Sequence, residues 1–393
     1  MHAHATGSAA RAGAEVGDIA RRWGDELRAG RPLRSEELRA LSDFAACRTP
    51  SLGGHLDVCE ACDFSRPAYN SCRNRHCPKC QSLRQARWTE ARRARVLPTH
   101  YFHVVFTLPA QLRPTARRHR AAIFDMLFAA ASATLLELGA DPERLGAQLG
   151  ITAVLHTWTR ELGWHPHLHC IVTGGGLRTD GLAWKSAAKR FLFPVLVMGK
   201  LFRGKFLDAL AIAIDNGIVG LAGKDRSRLF AELYRISWVV YAKRPFGGPD
   251  QVIRYLGRYT HRVGISNSRI IAVDDDQVVF DTKGGKSVAI APTEFLGRLL
   301  DHVLPSRFVK IRHYGLHASS NAKTRLERAR DLLTPLGAPP AADVTPAPQT
   351  GADLLLALTG VDVRVCPRCG VDAIVGKPLP VRDGSSPTVF DTS

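Results

Sequence analysis

The stretch His165-Pro166-His167-Leu168-His169-Cys170-Ile171-Val172-Thr173 decides the reading of this chain. Its apolar half reads as a buried β-strand, and side chains alternate across a strand, so His167 and His169 leave the same face. A lone histidine in a strand is usually a satisfied core residue. Two of them bracketing Leu168 point instead to joint ligation of one metal ion, with open positions that a phosphate oxygen can occupy. Thr152–Arg160 reads as the antiparallel partner strand, with a turn around Glu161–Trp164. If the turn falls near residues 162–163, His156 lies opposite His169 on the same face, and that parity survives any register shift of two. His156 is therefore the first choice as third ligand, with His103, His165, a Gln or a Glu as alternatives.

A second constellation follows at Tyr255-Leu256-Gly257-Arg258-Tyr259. It sits in a short helix expected over Pro249–Thr260 and opened by its proline. At i, i+4 the two phenols lie about 40° apart around the helix and one turn along it. Arg254, Arg258, His261 and Arg262 surround them, a costly setting for a core stripe and a good one for phosphates. A phenol has a pKa near 10, so attack at neutral pH needs help from a cation that draws charge off the scissile phosphate. A histidine strand and a tyrosine helix in one domain together point to DNA strand transfer.

Nine cysteines fall at 47, 59, 62, 72, 77, 80, 170, 366 and 369. Six crowd into a short window and the count is odd, which suits metal ligation in a reducing compartment better than a disulfide framework. Cys59-x-x-Cys62 and Cys77-x-x-Cys80 have the bite of zinc knuckles, so one expected site is Cys59/Cys62/Cys77/Cys80. Cys47, His55, Cys72 and His76 would make a second, interleaved site. So polar a segment has little core, and metal binding should supply its folding energy. Arg73, Arg75, Lys79 and Arg84 would make the module a DNA grip. Cys366 and Cys369 lack two obvious partners and read as half a site.

The remaining organisation is that of an α+β protein. Residues 16–48 read as two amphipathic helices, and Tyr101–Leu108 as a strand. Ala116–Leu138 and Pro194–Ile214 read as helices, and Trp238–Lys243 as a strand. Short strands at Arg269–Val273, Val278–Thr282 and Ser287–Ala291 precede a helix at Thr293–Val303 and a strand at Arg307–Tyr314. The expected divisions are a disordered 1–15, a helical and zinc-binding domain over 16–98, a catalytic domain over 99–332, a Pro/Ala-rich linker over 333–351 and a tail over 352–393. The 54 Lys and Arg against 36 Asp and Glu give +18, a nucleic-acid footprint. No segment approaches about 20 uninterrupted apolar residues, which argues against a membrane span. The N-terminus lacks the apolar core of a secretory signal.

His167-Leu168-His169 resembles the histidine–hydrophobe–histidine motif of the HUH endonuclease superfamily. More closely, Leu52-Gly53-Gly54-His55, Tyr69–Cys80, Phe102–Pro109 and Tyr255–Arg262 look like the insertion-sequence ninety-one family of rolling-circle transposases, over about 40–330 and in the family's order. The resemblance implies an HUH-type antiparallel-sheet nuclease domain with flanking helices, preceded by a zinc-binding domain. It implies structural Zn²⁺, and Mg²⁺ or Mn²⁺ at His167 and His169. Tyr255 and Tyr259 would be nucleophiles forming a 5′-phosphotyrosine with single-stranded DNA, in the cytoplasm of a bacterium. A plasmid replication initiator or relaxase would share this chemistry, and a zinc protein that only binds DNA is a reading of a different class.

Overall fold

The computed structural model describes residues 13–93, 95–246, 251–252, 264–334 and 350–379. The chain opens with α1 (Val16–Gly30) and α2 (Ser35–Ala46), followed by a hairpin of β1 (Gly54–Cys59) and β2 (Ser65–Tyr69). Helix α3 (Gln81–Arg93) leads into β3 (Tyr101–Thr107), then α4 (Arg113–Arg118) and the long α5 (Arg120–Ala140). β4 (Gln148–Trp158), β5 (Trp164–Leu177) and β6 (Trp184–Ser186) come next, then α6 (Val195–Asp215), α7 (Gly223–Arg235) and β7 (Val240–Phe246). The remainder is β8 (Ile270–Val273), β9 (Val278–Asp281), β10 (Ser287–Ile290), α8 (Pro292–Leu300), β11 (Ile311–Gly315), α9 (Arg325–Leu333), α10 (Gly351–Thr359) and β12 (Ile374–Pro378).

The central sheet runs β11-β4-β5-β3-β7, with β6 on the end of β5, and every pairing in it is antiparallel. This is the α+β architecture expected from hairpins interleaved with helices. Phe102, Val104, Phe106, Ala153, Leu155, Leu168, Cys170 and Val172 point to one face and share a core with Phe124, Leu127, Phe128, Phe202 and Phe206 of α5 and α6. Helix α5 is long and apolar enough to cross a membrane, but most of its apolar stretch is buried in this core. The opposite face carries the functional candidates.

Two smaller sheets flank it. The amphipathic α1 and α2 bury Val16, Ile19, Trp23, Leu27, Leu41 and Phe44 against Val278 and Phe280 of β9 and Phe295 and Leu299 of α8. The N-terminal helices therefore share a core with a segment some 250 residues downstream, here β8-β9-β10 and its helix. The other sheet has the order β12-β1-β2. The segment expected to be a separate tail instead supplies an outer strand to the N-terminal hairpin, in a register running from Cys59↔Ile374 to His55↔Pro378.

Candidate metal centres and nucleic-acid site

β4 and β5 bring His156, His167 and His169 together, with one ring nitrogen of each within 4.8 Å of the others. The register places His156 opposite His167, and Val154 opposite His169. That is one two-residue shift from the pairing expected of a turn at 162–163. Leu162 takes a positive φ of 60° in the actual turn, where Thr159 N–H donates to Gly163 and Gly163 N–H to the Thr159 hydroxyl. Parity held, so all three rings still share a face. Nε2 of His167 lies 3.1 Å from Nε2 of His169. Neighbouring donors on an octahedral ion with bonds near 2.1 Å lie about 3.0 Å apart, so the pair fits a cation such as Mg²⁺ or Mn²⁺.

The groups behind these rings fix their orientation. His167 Nδ1 donates to the His165 carbonyl at 2.6 Å, leaving the Nε2 lone pair turned inward. His103 and His169 stack nearly parallel, with His103 Nε2 2.7 Å from His169 Nδ1. His103, an alternative third ligand by sequence, is thus the residue that positions His169. His165, another alternative, has its Nδ1 held by Arg113 at 2.9 Å. Burial pulls His167 down to about 4, so its ring is neutral and available to a cation near pH 7.

Six of the eight expected zinc ligands fall in metal-binding clusters, grouped differently from the sequence reading and joined by Cys366 and Cys369. Cys47, Cys72, Cys77 and Cys80 form one cluster; Cys59, Cys62, Cys366 and Cys369 form the other. Sγ–Sγ separations run 3.4 Å for Cys47–Cys80, 3.6 Å for Cys72–Cys80 and Cys47–Cys77, and 3.7 Å for Cys59–Cys369 and Cys62–Cys366. A tetrahedral ion with Zn–S bonds near 2.3 Å requires edges of about 3.75 Å, so both clusters fit zinc and neither is disulfide-bonded. Hydrogen bonds from its three neighbours favour the Cys80 thiolate, and Cys47 is drawn down to about 7.

The reason for the regrouping is the β1–β2 hairpin. Cys59 and Cys62 sit at its tip, while Cys72 follows β2 at the opposite end, beside Cys47. Six residues of strand separate the ends by about 20 Å, too far for Cys59 and Cys77 to share an ion. β12 instead delivers Cys366 and Cys369 to the tip.

The two histidines assigned to the second zinc site lie outside both clusters. His55 is exposed, with Nε2 3.1 Å from an Asp57 carboxylate oxygen. His76 Nε2 accepts from the Leu304 backbone at 3.2 Å, in an environment whose burial and neighbouring Arg75 hold it neutral.

Two of the expected DNA-gripping side chains are also spent internally. Arg75 donates to the Phe308 and Pro305 carbonyls and so ties the zinc module to the segment leading into β11. Lys79 pairs with Glu15. Arg73 is exposed. Tyr255, Tyr259, Arg254, Arg258 and Arg262 lie outside the described residues, as does the Arg84 side chain.

Comparison with known proteins places this geometry in context. The family described as "Transposase zinc-binding domain" matches residues 19–108, and that described as "Putative transposase" matches residues 150–325. The "Putative transposase y4qJ" of Sinorhizobium fredii is 43% identical, over 98% of this chain and 100% of its own length. The transposase for insertion sequence element IS801 of Pseudomonas savastanoi pv. phaseolicola is 28% identical over 88% of this chain and 85% of its own. No solved structure is detectably similar to the chain.

Proposed function

Because the chain belongs to the insertion-sequence ninety-one family of transposases, with a zinc-binding domain at its N-terminus, we propose that it cuts and rejoins single-stranded DNA through tyrosine–phosphate intermediates. The observation carrying this reading is the convergence of His156, His167 and His169 on one face of the central sheet. Val252, three residues before Tyr255, is buried with Ile171, two residues past His169 on β5. Gly264, five residues after Tyr259, lies so close to the β4–β5 turn that a Cβ there would fall 3.0 Å from Leu162.

A divalent cation, Mg²⁺ or Mn²⁺, held by the three imidazoles would supply a charge that polarises the scissile phosphate. His103 and the His165 carbonyl hold the ligating rings in place. In the proposed reaction the Tyr255 or Tyr259 oxygen bonds to phosphorus as the bond to the 3′-oxygen breaks. The phenol gives up its proton and the departing 3′-oxygen takes one, leaving a 5′-phosphotyrosine and a free 3′-hydroxyl. The phosphotyrosine conserves the phosphodiester, so rejoining to another 3′-hydroxyl needs no ATP. Two tyrosines would let one hold the donor end while the other cuts or resolves the second, in a rolling-circle scheme in the bacterial cytoplasm. Both zinc clusters stand apart from this chemistry and serve the architecture.

The test is incubation with a single-stranded transposon-end oligonucleotide and Mn²⁺. The expected product is a protein–DNA adduct that survives boiling in detergent. His167→Ala should abolish it while leaving most DNA binding intact, since positioning contacts and chemistry use different residues. Intact protein that forms no adduct across plausible end sequences would overturn the proposal, and unchanged transposition by a Tyr255→Phe/Tyr259→Phe variant would mark a purely DNA-binding role.

A further inference from the structure

Helix α3 leaves the zinc module and runs onto the histidine face of the central sheet, where Trp88 packs against Tyr101, Ile171 and Val252. Beyond Trp88, Arg92 and Arg95 enter a cleft walled by Thr152 of β4, His313 of β11 and His317. The cleft opens beside the histidine site: Ile171 in its wall is two residues past His169, about 7 Å along the strand, and Thr152 is four residues from His156.

The guanidiniums of Arg92 and Arg95 reach the polar end of a cleft whose wall is otherwise the apolar Trp88, Val96, Tyr101, Ile171 and Val252. Nε and Nη1 of Arg92 and Nη1 of Arg95 are buried without a hydrogen-bond partner. His317 is only 6% exposed, and its Nε2 likewise has no partner. No carboxylate lines the cleft among the described residues. The Thr152 hydroxyl lies 3.1 Å from Nδ1 of both His313 and His317. It has one proton to give, so one imidazole receives it and carries its own N–H at Nε2. Burial and the two guanidiniums pull His313 to about 4 and His317 to about 3, so neither ring adds charge near neutral pH. Buried cations and orphaned donors are costly unless something fills their valences. A tetrahedral oxyanion does so, because guanidinium forks match its oxygens.

We propose that Arg92 and Arg95, with the His313–Thr152–His317 group, form a phosphate subsite. It grips a backbone phosphate of the substrate strand a few nucleotides from the one at the histidines, and so sets which phosphodiester is cut. That the strand is the ligand rests on the function proposed above; that the cleft takes an oxyanion does not. Guanidiniums carried on the last turn of the helix that leaves the zinc module and just past its end would couple that module's hold on DNA to the register at the histidine site.

The experiment uses zinc-loaded full-length protein without added Mg²⁺ or Mn²⁺, so that binding is read without cleavage. Fluorescence anisotropy follows a labelled single-stranded oligonucleotide over a series of salt concentrations. One lost phosphate contact lowers the slope of log K against log salt by about 0.7. R92Q/R95Q should show that drop and bind roughly tenfold more weakly. R92K/R95K, which keeps the charge, should recover most of the slope, and the exposed Arg228→Gln should change nothing. Inorganic phosphate should raise the melting temperature of the wild type more than that of R92Q/R95Q.

Unchanged slope and affinity in R92Q/R95Q, with its zinc content and circular dichroism intact, would overturn the subsite as a DNA contact. So would phosphate protection without any effect on oligonucleotide binding, which would mark a free-anion site. Adduct formation is a separate assay. Its failure alongside a reduced slope would sink the tyrosine chemistry and leave the subsite standing.

Discussion

Replacing Cys366 and Cys369 by serine should release the end of the chain from the zinc module. Residues 366–378 form the second knuckle and β12, and Cys366 alone among them is buried. Fixing these 13 backbones costs roughly 13–26 kcal/mol. The five-pair ladder to β1 returns about 5 kcal/mol at about 1 kcal/mol per bond. The shortfall of about 8–21 kcal/mol matches the 10–16 kcal/mol or so that a structural zinc supplies. Without its ion β12 should therefore leave β1. The assay is zinc stoichiometry by elemental analysis combined with limited proteolysis. Wild type should hold two zinc ions per chain and resist cleavage over 350–379; C366S/C369S should hold one and be cut there. Two zinc ions retained by the variant, or a tail still protected, would refute the clasp and the arithmetic behind it.

Other perturbations probe the histidine face and its supports. His302, His313 and His317 are held neutral by burial, at about 4, 4 and 3, below the usual 6.5. The unfolded chain takes up their protons first, so stability is full above pH 6.5 and falls as pH drops toward 4. The fully buried His302 alone should account for about 3 kcal/mol of that loss, read by denaturant melts across the range. Melts that do not weaken between pH 6.5 and 4.5 would contradict the assignment. His103→Ala should weaken Mn²⁺ binding 10–100-fold by calorimetry, because His169 loses its orienting partner; unchanged affinity would deny His103 that role. Gly315 has φ of 58°, and a Cβ there would fall 1.9 Å from the Leu149 carbonyl oxygen. Gly315→Ala should thus cost several kcal/mol by prising β11 from β4, seen as a lower melting temperature.

The histidine face was legible in the sequence because strand parity is local and indifferent to a two-residue slip. His156, His167 and His169 could be placed together without knowing the turn. The zinc pairing was not legible, since it depends on β12 meeting β1 across some 300 residues, and the spacing of Cys59, Cys62, Cys77 and Cys80 favours the wrong grouping. No local pattern marks Ile374–Pro378 as a strand, as it is half-exposed and held by its backbone pairing to β1 rather than by an apolar face. The partners of Arg75 and Lys79 were not legible for a related reason: charge in a polar loop suggests solvent, yet each side chain meets a group distant in sequence. No local pattern sets Arg92 and Arg95 apart; only β11 folding alongside β4 reveals the cleft that they enter.

The central claim, a phenol attacking a phosphate beside the histidine cluster, is tested most directly by mapping where DNA becomes attached. After reaction with Mn²⁺ and a single-stranded end oligonucleotide, nuclease trimming and peptide mass spectrometry should find a nucleotide phosphate on Tyr255 or Tyr259. The signal should vanish in the variant lacking both hydroxyls. A nucleotide on any other side chain, or cleavage that leaves only free 5′-phosphate ends, would contradict the account.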